Sequence, residues 1–217
     1  FNKKPIVSSS NTEIEAQKIV NIQEEIPIYQ ASEKRSSDIV HTMLKVNFNW
    51  EQKKMNGEAW LKVKPYFHNT DQLVLDAKSM EILEVSLINE LESEILEYDY
   101  DQYYLHIQLP RKFSREEQYE VYIKYTACPE EVKQKGSSAI SMAKGLYFIN
   151  SDGSEPNKPQ QIWTQGQTEA NSVWFPTIDD PIEKTTQEMY ITVEDRFKTL
   201  SNGELVYASL NGDGTRT

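Results

Sequence analysis

From Asp38 onward apolar residues recur at every second position, the period of a β-strand with one face turned to a core. Residues 43–50 put Leu44, Val46, Phe48 and Trp50 on one face and Met43, Lys45, Asn47 and Asn49 on the other. Asn56-Gly57 has the chemistry of a tight turn, which needs positive φ, and predicts a hairpin there. The returning strand puts Ala59, Leu61 and Val63 inward and Glu58, Lys62 and Lys64 outward. Further strands are predicted at 73–75, along Leu83, Val85 and Leu87, along Tyr103, Leu105, Ile107 and Leu109, and along Tyr119, Val121, Ile123 and Tyr125. Later ones fall at 145–149, along Met189, Ile191 and Val193, and at 205–210. Asn211-Gly212-Asp213-Gly214 then turns the chain into a return strand at 215–217. Short strands separated by turn chemistry predict an all-β fold, a sandwich or open barrel of mixed sheets. From Asp38 onward, helix is confined to single turns at 129–135 and 169–174. A hairpin cut part-way leaves an unpaired sheet edge, so the expectation is a gene product that continues past Thr217.

Residues 1–37 lack this period and read as a polar arm. Ser8-Ser9-Ser10-Asn11 is a loop or N-cap signal before a weakly amphipathic helix at 12–23; Pro27 ends it, and 32–37 is a linker by composition. The predicted division is therefore an arm at 1–37 and a β domain at 38–217. With 12 Tyr, 7 Phe and 4 Trp the chain can fill a substantial core. Lys and Arg number 23 against 34 Asp and Glu, a formal charge of -11. A nucleic-acid partner needs a basic stripe to displace phosphate counterions, and the sequence has none. Between Met80 and Leu109 there is no Lys or Arg, while Glu81, Glu84, Glu90, Glu92, Glu94, Glu97, Asp99 and Asp101 accumulate. That run reads as a solvated sheet face with acidic turns, since it lacks the calcium-loop spacing. No stretch approaches the ~20 apolar residues of a membrane helix. The single Cys128 forbids an internal disulfide framework, so redox chemistry does not decide the compartment. The acidic balance and the missing initiator Met tip it toward an extracytoplasmic bacterial protein.

A catalytic set is absent from the residues. His41, His68 and His106 are far apart and fall on polar strand faces or in a turn. Cys128 precedes Pro129 at a strand end and reads as structural. One segment stands out for its density of large and polar groups: Gln161-Ile162-Trp163-Thr164-Gln165-Gly166-Gln167, then Trp174-Phe175-Pro176-Thr177-Ile178-Asp179-Asp180-Pro181. In an extended segment Gln165 and Gln167 point the same way, and Gly166 between them admits another backbone. Two adjacent amides offer donors and acceptors to a polar ligand end, or else satisfy buried backbone groups of a long connection.

These residues resemble a pattern of the aminopeptidase N and leukotriene-hydrolase family of zinc metallopeptidases. Its pieces appear in order as Lys144-Gly145-Leu146-Tyr147, Thr164-Gln165-Gly166-Gln167, Phe175-Pro176-Thr177-Ile178-Asp179-Asp180-Pro181, Lys184, and Leu200-Ser201-Asn202-Gly203. The likeness covers roughly residues 38–217. It implies a saddle-shaped β domain packed against a following catalytic domain, which holds zinc and the general base and lies outside this chain. It also implies that Gln167, with Gln165 beside it, binds the free α-amine of a peptide substrate. Asp179 and Pro181 are then structural, shaping the turn into the next strand. The chain departs from the family pattern at Gly166 and Thr177, where Cys is usual, and at Ser172, where Arg precedes Phe-Pro. On this reading the chain alone binds no zinc and hydrolyses nothing, and the surface around Gln165, Gln167 and Trp174 is expected to be exposed. The rival readings are a non-catalytic scaffold that binds a protein on Trp60, Tyr104 and Tyr122, and a carbohydrate-binding sandwich with those aromatics in a flat exposed row.

Overall fold

The computed structural model describes residues 35–89, 92–132 and 143–217, all within one unit, Lys34–Thr217. The predicted arm helix at 12–23 lies outside the described residues. Strands β1 (Ser37–Asn49), β2 (Lys54–Pro65), β3 (Thr70–Asp76), β4 (Met80–Ile88), β5 (Ser93–Ile95) and β6 (Tyr98–Tyr100) come first. Then follow β7 (Tyr104–Phe113), β8 (Tyr119–Ala127), β9 (Leu146–Ile149), β10 (Gln161–Thr164), β11 (Thr186–Glu194) and β12 (Thr215–Arg216). Among the described residues the helical elements are single 3-10 turns at Pro129–Glu131 and Asn171–Val173. The fold is all-β, as the two-residue period predicts. Among the described residues no helix is long and apolar enough to cross a membrane.

The strands form a seven-stranded mixed sheet in the order β12-β11-β1-β2-β8-β4-β5, a three-stranded sheet β3-β7-β6, and the hairpin β10-β9. All pairings are antiparallel except β1 with β11, whose parallel alignment requires a long connection between them. That connection carries the candidate site. The two larger sheets share one core. Ala59, Leu61 and Val63 of β2, Val121, Ile123 and Tyr125 of β8, and Leu105, Ile107 and Leu109 of β7 are all buried in it. Each triplet is an alternation legible in the sequence.

Four expectations need correction. The first hairpin turns at residues 50–53, where Lys53 takes φ +53 and Asn49 Oδ1 accepts the Gln52 N–H at 2.9 Å. Asn56 and Gly57 instead lie inside β2, opposite Asn47 and Val46. Gly57 is there because the Tyr125 ring folds over it; a Cβ would stand 2.3 Å from Tyr125 Cζ. Leu83 is 57% exposed rather than inward, because a register shift between Ile82 and Glu84 turns it out of β4. Tyr103 precedes β7 and is exposed. Residues 205–209 form no strand: Leu205, Val206 and Tyr207 are exposed, and only the end of the segment pairs, Leu210 bridging to Arg216 and Ser209 to Thr217 across the Asn211–Gly214 turn.

Candidate functional site

The hairpin of β9 and β10 delivers the glutamine segment. Tyr147 and Trp163 are cross-strand partners in it, and their rings stack at 4.4 Å and 12°. The ladder extends one residue past β10, where the Gln165 N–H donates to the Gly145 carbonyl at 2.8 Å. Gly145 has φ +66, and a Cβ there would meet the Ala170 carbonyl at 2.1 Å. Only glycine permits both the left-handed conformation and that approach. Residues 166–170 then close a turn through Ala170 N–H to the Gly166 carbonyl at 2.9 Å. Gly166 is approached by the Asn171 side chain rather than by another backbone.

The chain beyond the turn is tied to the end of β3. Thr177 and Asp76 exchange two main-chain hydrogen bonds of 2.7 and 3.0 Å, and the Asp179 N–H donates to Asp76 Oδ2 at 2.9 Å. Ser172 is fully buried; its N–H and Oγ–H both donate to Asp179 Oδ2, at 2.9 and 2.8 Å. Asn171 Nδ2 donates to Asp179 Oδ1 at 3.2 Å. A carboxylate that accepts three such bonds fixes the surrounding loop, which is the structural part expected of Asp179. Lys78, one residue past Ala77, is buried; its Nζ donates to the Glu169 carbonyl and its N–H to the Ser172 carbonyl, both at 2.7 Å. On the far side of Lys78, the Tyr100 hydroxyl donates to the Ala77 carbonyl and accepts the Met80 N–H, each at 2.8 Å. Burial pushes the Tyr100 hydroxyl up to about 12, so it remains a donor at neutral pH. Downstream, Glu183 Oε1 accepts the Ile39 N–H and Oε2 pairs with Arg35, while burial pushes its carboxyl up against both.

Gln165 is half-buried and Gln167 exposed, and among the described residues neither side-chain amide has a hydrogen-bond partner. They are therefore not consumed in satisfying the loop's own backbone. Trp174, expected to be exposed, is only 8% exposed. It packs at 4.4 Å on Phe175 within the core, as the base under the turn rather than part of its surface. Asp76 and Lys78 went unnoticed in the sequence, where the only signal is a charged pair flanking Ala77 at the end of an apolar alternation.

Among the described residues no three His, Cys, Asp or Glu side chains converge on one point. His41 bonds Thr186 Oγ1, and His106 lies 6.3 Å from the Tyr104 ring. Cys128 is buried, and burial pushes its thiol up, away from nucleophilic use. Trp60 and Tyr122, two of the candidate binding aromatics, are not coplanar. Trp60 and Tyr122 are half-buried and tilted by 50° at 4.9 Å, and Lys45 Nζ sits 4.8 Å over the Trp60 ring.

Comparison with known proteins adds three findings. The Peptidase M1 N-terminal domain family matches residues 7–217. No curated protein matches the chain. Among solved structures, the chain is similar to an M1 zinc metallopeptidase from Deinococcus radiodurans, with TM-score 0.69 and 15% identity. It is also similar to a mutant of that enzyme bound to a Tyr-Ser-Ala substrate, with TM-score 0.68 and 15% identity. A two-domain M1 zinc metallopeptidase mutant bound to L-arginine aligns with TM-score 0.69 and 14% identity. Each alignment covers 84% of this chain and 38% of the other, so the chain spans well under half the length of the enzymes it resembles.

Proposed function

Because this chain belongs to the Peptidase M1 N-terminal domain family, we propose that it is the amino-terminal β domain of a zinc-dependent aminopeptidase. On this reading it supplies one wall of the substrate cleft and the anchor for the peptide's α-amine. The observation that carries the reading is the state of Gln165 and Gln167: two amides without a hydrogen-bond partner among the described residues, on a turn tied at the Gln165 N–H, the Glu169 carbonyl and the Ala170 N–H. The side-chain carbonyl of Gln167 accepts an N–H of the amino terminus, and Gln165 offers a second acceptor beside it. Holding that end sets which bond lies at the cleavage point, through binding energy that is the same in the bound substrate and in the transition state. Zinc, which on this proposal is held by a following domain, supplies the activated water. Neutral amides hold a charged ammonium less firmly than a carboxylate would.

The test uses the full-length protein and an amino-acid anilide offered with a free and with an acetylated amino group. The expected outcome is chelator-sensitive turnover of the free form, with kcat/KM falling about tenfold or more on acetylation as the anchor loses its partner. Equal turnover of both forms overturns the amine anchor. Turnover that persists after zinc removal overturns the metallopeptidase assignment.

A further inference from the structure

Lys78 is a buried cation whose ammonium, among the described residues, has no carboxylate partner. Burying an ion without a counter-ion is costly, and an apolar side chain of the same length is the cheaper occupant of such a site. The ammonium is spent on one main-chain carbonyl, that of Glu169. Glu169 takes φ +51, a left-handed conformation that residues with a Cβ adopt only when held there. The same carbonyl also accepts the Ser172 hydroxyl at 3.3 Å. Glu169 is the last residue before Ala170, whose N–H closes the turn back to Gly166, and Gly166 stands between the two glutamines.

We propose that Lys78 is a positioning residue for the amine anchor. Its ammonium holds the Glu169 carbonyl, this fixes the left-handed turn, and the turn sets the direction of Gln165 and Gln167. Lys78 touches no substrate. Its own backbone is in turn held on both sides, by the Lys78 N–H to the Ser172 carbonyl and by the Tyr100 hydroxyl spanning Ala77 and Met80. The proposal rests on the amine-anchor reading above.

The experiment compares wild-type full-length protein with Lys78→Met, Lys78→Arg and Gln167→Ala. Loosening a group that binds the amine equally before and during reaction raises KM and spares kcat. Lys78→Met is therefore expected to raise KM for an amino-acid anilide about tenfold with kcat changed by less than about threefold, and Lys78→Arg to recover most of the loss. A second readout is independent of turnover: amide hydrogen exchange at Ala170 quickens about tenfold in Lys78→Met, while exchange in β2 and β8 is unchanged. Glu169→Gly added to Lys78→Met restores affinity, because glycine takes the positive φ unaided. Unchanged Ala170 exchange in Lys78→Met, or a KM that stays at the wild-type value while Gln167→Ala raises it, overturns the proposal. If Gln167→Ala itself leaves KM unchanged, the anchor reading falls, and the exchange data alone decide whether Lys78 clamps the turn. If Lys78→Met does not fold, Lys78→Gln, which keeps a neutral donor, carries the same comparison.

Discussion

Replacing Asp179 by alanine removes the acceptor of the Ser172 N–H, the Ser172 hydroxyl and the Asn171 amide at once. Ser172 is fully buried: its N–H is left where water does not readily replace the carboxylate, while its hydroxyl keeps only the Glu169 carbonyl, 3.3 Å away. A buried donor stripped of its acceptor costs about 1–3 kcal/mol. One stripped N–H beside a weakened hydroxyl bond brings the expected loss to about 2 kcal/mol. For a domain of this size that corresponds to a fall in Tm of about 4–8 °C. Asp179→Asn keeps one acceptor oxygen but turns an N–H toward the Asn171 amide, and is expected to cost about half as much. The assay is urea unfolding followed by tryptophan fluorescence, where Trp174, two residues from Ser172, reports the loosening. A double-mutant cycle with Ser172→Ala is expected to give a coupling energy of about 1–2 kcal/mol. If Asp179→Ala unfolds within about 0.5 kcal/mol of wild type, the view that this carboxylate fixes the loop is wrong.

Two further predictions concern the sheet framework. Gly57→Ala drives a Cβ into the buried Tyr125 ring at 2.3 Å and is expected to cost about 1–3 kcal/mol by overpacking, measured as a shift in the denaturant midpoint; a neutral effect would mean the ring moves freely. Glu117 is held at about 2 by the Ser114 N–H and by Arg111. A carboxyl depressed in the folded state contributes stability above its unfolded pKa and loses it as pH falls through the folded value. The midpoint difference between wild type and Glu117→Gln should thus be present at neutral pH and close between about pH 4.5 and about pH 2; a difference independent of pH would contradict it.

The core was legible because its signal is local. Leu105, Ile107 and Leu109, or Val121, Ile123 and Tyr125, announce an inward face within a few residues, and burial follows. Where the reading failed, a distant partner decided. Asn56-Gly57 has turn chemistry, yet the glycine is required by Tyr125 on a strand that arrives 68 residues later by position number (125 minus 57). Leu83 fits the alternation, but a bulge against β8 reverses it. The glutamine pair proposed as the anchor could be singled out because its two members share one short segment. The groups that hold it were not: Lys78 reaches Glu169 across 91 residues and Asp76 reaches Asp179 across 103. Nothing in the local pattern at Ala77 distinguishes such charges from solvated ones. Residues 205–209 misled in the opposite way, having the apolar content of a strand but little pairing in the structure.

The most direct measurement is calorimetric titration of the full-length protein, and of its Gln167→Ala variant, with a short peptide amide carrying either a free or an acetylated amino end. Two amides that grip the ammonium should make the free form bind about tenfold more tightly than the acetylated one in the wild type, a preference that shrinks to less than about twofold in the variant. A preference for the free amino end that survives intact in Gln167→Ala would mean that the amine is held elsewhere.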